Sequence, residues 1–120
     1  MKTLSVIVLS WNGVQLTRET LDSLAHCRVP QGWRSHVIVV DNASTDGSAA
    51  AIADEYPTVE LIALTENRRF AGGNNVGLTR ALAAGADAVM LLNNDVQADP
   101  ALYERLLLAL EQEPGAGAVA

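Results

Sequence analysis

Four apolar runs, each ending in polar side chains and each followed by a helical periodicity, constrain what this chain can fold into. They are Leu4 to Leu9, His36 to Asp41, Val59 to Leu64 and Ala88 to Leu92. The first, second and fourth are almost unbroken, as strands covered on both faces must be. The third is shorter and alternates, and its Glu60 places it toward a sheet edge. After the first run, Val14, Thr17, Leu21, Leu24 and Ala25 recur at helical spacing, giving an amphipathic helix to about Arg28. Further helices are expected from Ala49 to about Tyr56, from Asn75 to about Ala84, and after Asp99-Pro100, with Leu102, Leu106, Ala109 and Leu110 as the buried stripe of the last. Strict β-α alternation predicts an α/β fold: a mostly parallel sheet with helices on both faces and right-handed crossovers.

The punctuation agrees with this reading. Gly13 permits a tight turn after the first run. Pro30-Gln31-Gly32 and Pro57 stop the first two helices, and Gly85 closes the third. Asp46 or Ser48 suits a cap for the second helix, and Asp99-Pro100 combines a capping acid with a proline at the first helical position. Pro114-Gly115 ends the last helix, and Ala116 to Ala120 reads as the approach to another strand. Residues 1–120 are therefore expected to form one domain, cut just before its next element.

The 120 residues suffice for one modest core, and 49% of them are hydrophobic. The formal net charge of -6 and the lack of a basic patch argue against a nucleic-acid partner, whose phosphates demand neutralisation. A single small anion such as a nucleotide stays compatible, because a metal can bridge it. The lone Cys27 has no disulfide partner, which suits a reducing compartment and a structural thiol. No signal peptide precedes the first strand, and no apolar run approaches the roughly 20 residues of a spanning helix. A cytoplasmic location is expected.

In an open parallel sheet, ligands bind outside the carboxyl ends of the strands. Here those ends carry Ser10, Trp11 and Asn12; Asp41 and Asn42; Glu66 and Asn67; and Asn93, Asn94 and Asp95. Acids or amides at all four ends, with helix N-termini close behind, suggest a pocket for an anion and a metal. Asp95 suits a hard divalent cation, since Asp99 already serves as the cap nearby. Asn42, Ser44 and Asp46 fit turn and cap roles as well as binding. The usual nucleotide fingerprints fail: no G-x-G-x-x-G opens the first helix, Gly72-Gly73-Asn74-Asn75-Val76-Gly77 lacks the middle glycine, and no G-x-x-x-x-G-K-[ST] exists.

Four segments in order carry a resemblance: Ser5 to Asn12, Val39 to Gly47, Asn67 to Asn75, and Leu91 to Asp95. Together they resemble the N-terminal, donor-binding part of a family 2 glycosyltransferase of the GT-A fold, and its rhamnosyltransferase-like members in particular. The resemblance covers essentially the whole chain. It implies transfer of a sugar, with inversion, from a nucleoside-diphosphate sugar to a hydroxyl of a glycan or lipid-linked acceptor. Such an enzyme would work in the cytoplasm, at the inner face of the membrane where the acceptor is lipid-linked.

It also implies roles. Trp11 would lie against the nucleobase, and Asp41 would accept the base imide N–H, which uracil, thymine and guanine offer and adenine does not. Ser10, Asn12, Asn67 and Asn75 would line the nucleotide site. Asn93-Asn94-Asp95 stands at the Asp-x-Asp motif, so Asp95 would bind Mn²⁺ or Mg²⁺ on the diphosphate. Asn93 replaces the first acid of that motif, leaving one charge fewer. Arg69 stands where glycine is common in the family: it is strained if that position needs a positive φ, while Arg68 or Arg69 has the fork geometry to reach the diphosphate. No residue matches the general base of inverting members, which lies in the acceptor-binding half.

Two other classes stay open. A sugar nucleotidyltransferase would need a basic, glycine-rich loop directly after the first strand, which Ser10-Trp11-Asn12-Gly13-Val14 does not supply. A non-catalytic nucleotide-binding or interaction module would tolerate loss of Asp95. A receiver-like domain lacks its paired acids and lysine. An α/β half cut before its next strand would expose a sheet edge, favouring a second copy of the chain as partner or partial instability.

Overall fold

A computed structural model describes residues 1–112. Its elements alternate as expected: β1 (Lys2–Ser10), α1 (Val14–Ala25), β2 (Trp33–Asp41), α2 (Ser48–Glu55), β3 (Glu60–Ala63), α3 (Arg69–Ala83), β4 (Ala88–Asn93) and α4 (Leu102–Gln112). The strands form one parallel sheet in the order β3-β2-β1-β4. Glu60 does belong to an edge strand. Register pairs Ser10 with Asp41, Asp41 with Ala63, and Leu9 with Asn93. All four carboxyl ends therefore finish along one edge of the sheet.

Helices cover both faces. Leu21 and Leu24 of α1, Ile52 of α2, and Tyr103 and Leu107 of α4 pack on Leu4, Val6, Val8, Val39 and Met90. The opposite face carries Ile7, Ile38 and Val40 beneath α3, which contributes Ala81 and Leu78. Alternate strand residues thus serve opposite cores, as pleating requires. Gly77 lets α3 approach closely: a Cβ there would lie 2.5 Å from Ile7 Cγ2. β4 pairs with β1 and bears a free side, where Leu78, Leu82, Val89 and Leu91 help line an apolar cleft of about 670 Å³. No helix is long and apolar enough to cross a membrane among the described residues.

Several details differ from the sequence expectation: α1 ends at Ala25 and not near Arg28, and β2 begins at Trp33 and not at His36. α3 begins at Arg69, not Asn75, so the segment expected to be loop supplies its first turns. The buried stripe of α4 is phased by one residue: Tyr103 and Leu107 are buried, while Leu102, Leu106, Ala109 and Leu110 are only half-buried. The start of α4 is set by Asp99, whose Oδ1 accepts the Ala101 N–H at 2.8 Å, and by Pro100, whose carbonyl accepts Arg28 N–H at 2.8 Å. Gly85, at φ +83°, closes α3 as expected. The N-cap of α2 is Gly47, at φ +83°, and not Asp46 or Ser48; Asp46, one residue before it, accepts the Ser48 N–H at 3.0 Å, and Ser48 Oγ also donates to it. These bonds hold the Asp46 carboxyl below its ordinary range. Cys27 is half-buried and its thiol is pushed up by burial, as suits a structural residue. The turn at Pro114-Gly115 and the strand approach at 116–120 lie outside the described residues.

Candidate functional site

The carboxyl edge is built from loops that are tied to one another by side-chain amides. The β1 loop is joined to the β2 loop through Asn12: its N–H donates to Ser44 Oγ at 2.8 Å, and its Oδ1 accepts the Thr45 N–H at 2.8 Å. Asp41, only 3% exposed, holds Ser44 in turn, accepting its N–H at 2.9 Å and its Oγ–H at 2.7 Å. The buried Asn42 joins β2 to the start of α3, with Oδ1 accepting from Arg68 N–H and Nδ2 donating to the Arg69 carbonyl. The β4 end is joined to α1: Asn94 Nδ2 donates to Thr17 Oγ1 at 3.2 Å, and Thr20 Oγ1 donates to the Asn94 carbonyl at 2.8 Å. Thr17 Oγ1 is also 2.8 Å from Ser10 Oγ.

The nine sequence-predicted site residues therefore divide by geometry. Ser10, Asp41 and Asn94 face inward and frame the edge. Asn12 and Asn67 are exposed but have committed their Oδ1 atoms, Asn67 to the Arg69 N–H at 2.7 Å. Trp11 is 56% exposed, and Asn75, Asn93 and Asp95 also reach solvent. Asn75 stands on the second turn of α3 and not at its N-terminus, because the helix begins at Arg69. An exposed Trp beside a polar strand end is unusual for a soluble surface and gives a flat apolar platform there.

Among the described residues, three other than glycine have a positive φ, and all lie at this edge: Asn12 at 45° and Ala43 at 64° in loops, and Arg69 at 62° as the first residue of α3. Backbone held in the left-handed region clusters at functional sites. The expectation for Arg69 was conditional on that conformation, and the conformation is present. Arg68 and Arg69 are both exposed. The ion pairs of the described residues join Arg18 to Glu55, Arg28 to Glu104, and His36 and Arg80 to Glu60, so they engage neither Arg68, Arg69 nor Asp95. Among the described residues the edge thus presents the guanidinium groups of Arg68 and Arg69, the carboxylates of Glu66 and Asp95, and the aromatic faces of Trp11 and Phe70.

No group of three metal-ligating acids, histidines or cysteines exists among the described residues. Asp95 alone fits a cation that brings most of its oxygen ligands with it, as a diphosphate-bound Mg²⁺ does. The sequence reading missed the latch roles of Thr17 and Thr20. Thr17 and Thr20 left a signal, since two hydroxyls at i and i+3 on the buried face of an amphipathic helix need partners.

The chain is similar to proteins of known activity and to solved structures. The N-acetylglucosaminyl-diphospho-decaprenol L-rhamnosyltransferase of Mycobacterium tuberculosis is 32% identical over 91 residues, which span 69% of this chain and 30% of that protein. TarS of S. aureus, solved with UDP-GlcNAc, superposes over 100% of this chain and 37% of its own with a TM-score of 0.76 at 24% identity. The mannosyltransferase PcManGT of Pyrobaculum calidifontis, solved with GDP-Man and Mn²⁺, superposes over 97% of this chain and 33% of its own with a TM-score of 0.66 at 29% identity. The chain thus spans about a third of the length of these relatives, and its fold is the GT-A fold of the solved ones. The family pattern described as glycosyl transferase family 2 matches residues 5–120, and the chain belongs to that family.

Proposed function

We propose that this chain is the donor-binding part of an inverting glycosyltransferase that takes a nucleoside-diphosphate sugar and delivers the sugar to a hydroxyl of a glycan or lipid-linked acceptor. The observation that carries this reading is the sorting of the carboxyl edge. Most polar groups there latch loops together, while Trp11, Asn93, Asp95 and the guanidinium groups of Arg68 and Arg69 stay free. That residue set matches a ligand with an aromatic base, a diphosphate and a bound cation. The solved relatives hold ligands of this class, UDP-GlcNAc in TarS and GDP-Man with Mn²⁺ in PcManGT. The mycobacterial relative's name gives a lipid-linked acceptor.

In this reading Trp11 stacks on the base. Asp41 frames the base site from beneath through Ser44 and Asn12, and keeps lone pairs for an imide N–H. Arg68 and Arg69 neutralise the diphosphate by charge-assisted hydrogen bonds. Asp95 holds the Mn²⁺ or Mg²⁺, which when bound stabilises the charge gathering on the departing nucleoside diphosphate. The acceptor hydroxyl attacks the anomeric carbon in line with that leaving group. Its proton goes to a general base from the acceptor-binding part, so residues 1–120 bind donor but transfer sugar poorly on their own.

Calorimetric titration of the chain with UDP, dTDP, GDP and ADP, each with and without Mn²⁺, tests the reading. Metal-dependent binding of one imide-bearing diphosphate, lost in Asp95→Ala, is the expected result. Binding that ignores both metal and Asp95 would instead identify a non-catalytic nucleotide module. Asp41→Asn, followed by both titration and thermal unfolding, separates base recognition from loss of the frame.

A further inference from the structure

Neither the fold nor the latches account for Asn74. It is 6% exposed on the second turn of α3, and its Oδ1 is fully buried with no hydrogen-bond partner among the described residues. A buried acceptor without a donor is destabilising. The chain carries that cost at a position with a defined outlook. Gly73, the preceding residue, lies over the strand ends, where a Cβ would be 2.5 Å from Leu9 Cδ1 and 3.2 Å from Asn42 Nδ2. Arg80 reaches Glu60 on β3. Helical spacing turns Asn74, with Leu78 and Ala81, toward the opposite flank. Leu78 and Val89 of β4 both help line the apolar cleft on that flank. Register sets Asn93 beside Leu9 there, at the open carboxyl edge.

We infer that Asn74 is a donor-recognition residue whose Oδ1 accepts a hydrogen bond from an O–H or N–H of the nucleoside-diphosphate sugar. This inference rests on the donor-site reading above. Asn93, exposed and with a side chain that has no hydrogen-bond partner among the described residues, pairs in register with Leu9, over which Gly73 lies. The ligand's donor group sits on either the nucleoside or the transferred sugar, and both present the chemistry the orphaned oxygen lacks. Solvent is the competing donor, and an ordered water there would leave affinity untouched.

The substitution Asn74→Leu separates these outcomes, because it removes the orphaned acceptor at nearly constant volume. The variant is expected to unfold at a higher temperature, by about 3–6 °C. It is also expected to bind nucleotide sugar at least about fivefold more weakly. Asn74→Ala serves where leucine does not fit, with the same loss of affinity expected. Each variant is titrated in the presence of Mn²⁺ with UDP, dTDP and GDP and with the corresponding diphosphate sugars. A loss shared by diphosphate and conjugate assigns the donor to the nucleoside, and a loss confined to the conjugate assigns it to the sugar. Unchanged affinity in a folded variant, beside a wild-type chain that binds, overturns the role of Asn74 and leaves the donor site standing. A folded wild-type chain that binds none of these ligands overturns both.

Discussion

Asn42 clamps the backbone at Arg69: its Nδ2 donates to the Arg69 carbonyl at 3.0 Å while its Oδ1 accepts the neighbouring Arg68 N–H at 2.7 Å. One buried amide thus fixes the first turn of α3 to the end of β2. Both bonds are needed because Asn42 is 3% exposed and an amide left unpaired there is costly. Asn42→Ala is expected to lower stability by about 2–3 kcal/mol, from two lost bonds and two backbone groups left without partners. Chemical denaturation gives the loss. Faster hydrogen exchange at the Arg68 amide would locate it, and unchanged exchange there would show that the clamp is dispensable.

Arg69 occupies the left-handed region at φ 62°. That conformation costs a residue with a Cβ about 1–2 kcal/mol, and glycine regains part of it after its own entropy loss. Arg69→Gly is expected to stabilise the chain by up to about 1 kcal/mol. It is also expected to weaken diphosphate binding, because a free guanidinium is removed. A variant that gains stability and keeps its affinity would show that this arginine is merely solvated.

The strands and their parallel arrangement were legible because buried parallel strands leave long apolar runs, and three of the four are unmistakable. The start of α3 was not, because Asn67 to Gly73 has the composition of a loop. Its helical conformation comes from tertiary contacts, namely the clamp by Asn42 and the close seat of Gly73 on Leu9. The phase of α4 was ambiguous for another reason. Leucines at 102, 106, 107, 108 and 110 suit more than one face, and the contact between Arg28 and Pro100 selects it. At the site, residue types showed that polar strand ends converge. They gave no sign that Ser10 and Asn94 turn inward to Thr17 while Asp95 turns out, since each is simply a polar residue after a strand.

Acid should weaken the fold through Glu60. Arg80 donates to its carboxylate and His36 lies 3.0 Å from it, and the Arg80 bond above all holds Glu60 below its ordinary value of 4.5. The folded state therefore releases this proton more readily than the unfolded state. The stabilisation is full above about pH 4.5 and disappears as the pH falls through the lowered folded value. Wild type should exceed Glu60→Gln in melting temperature at pH 7, with the gap closing on acidification below pH 4.5. A gap that is constant from pH 7 to pH 3 would rule out the ion pair as its source.

Gly77 is where α3 meets the sheet most closely. A Cβ there would lie 2.5 Å from Ile7 Cγ2 and 3.1 Å from Val40 Cγ2, and both side chains are fully buried. Neither can yield easily. Both are β-branched and stiff at χ1, and Ile7 belongs to β1, which is paired on both sides. The helix must back away instead. Alanine gains up to about 1 kcal/mol in helix propensity, but overpacking costs about 1–3 kcal/mol, so Gly77→Ala should be destabilising on balance. The same displacement pulls on the clamp between Asn42 and Arg69, two turns nearer the helix start. Nucleotide affinity should therefore fall along with the melting temperature, although Gly77 touches no part of the open edge. Loss of stability with full affinity would show instead that the edge is held by its own latches and not by the seat of α3.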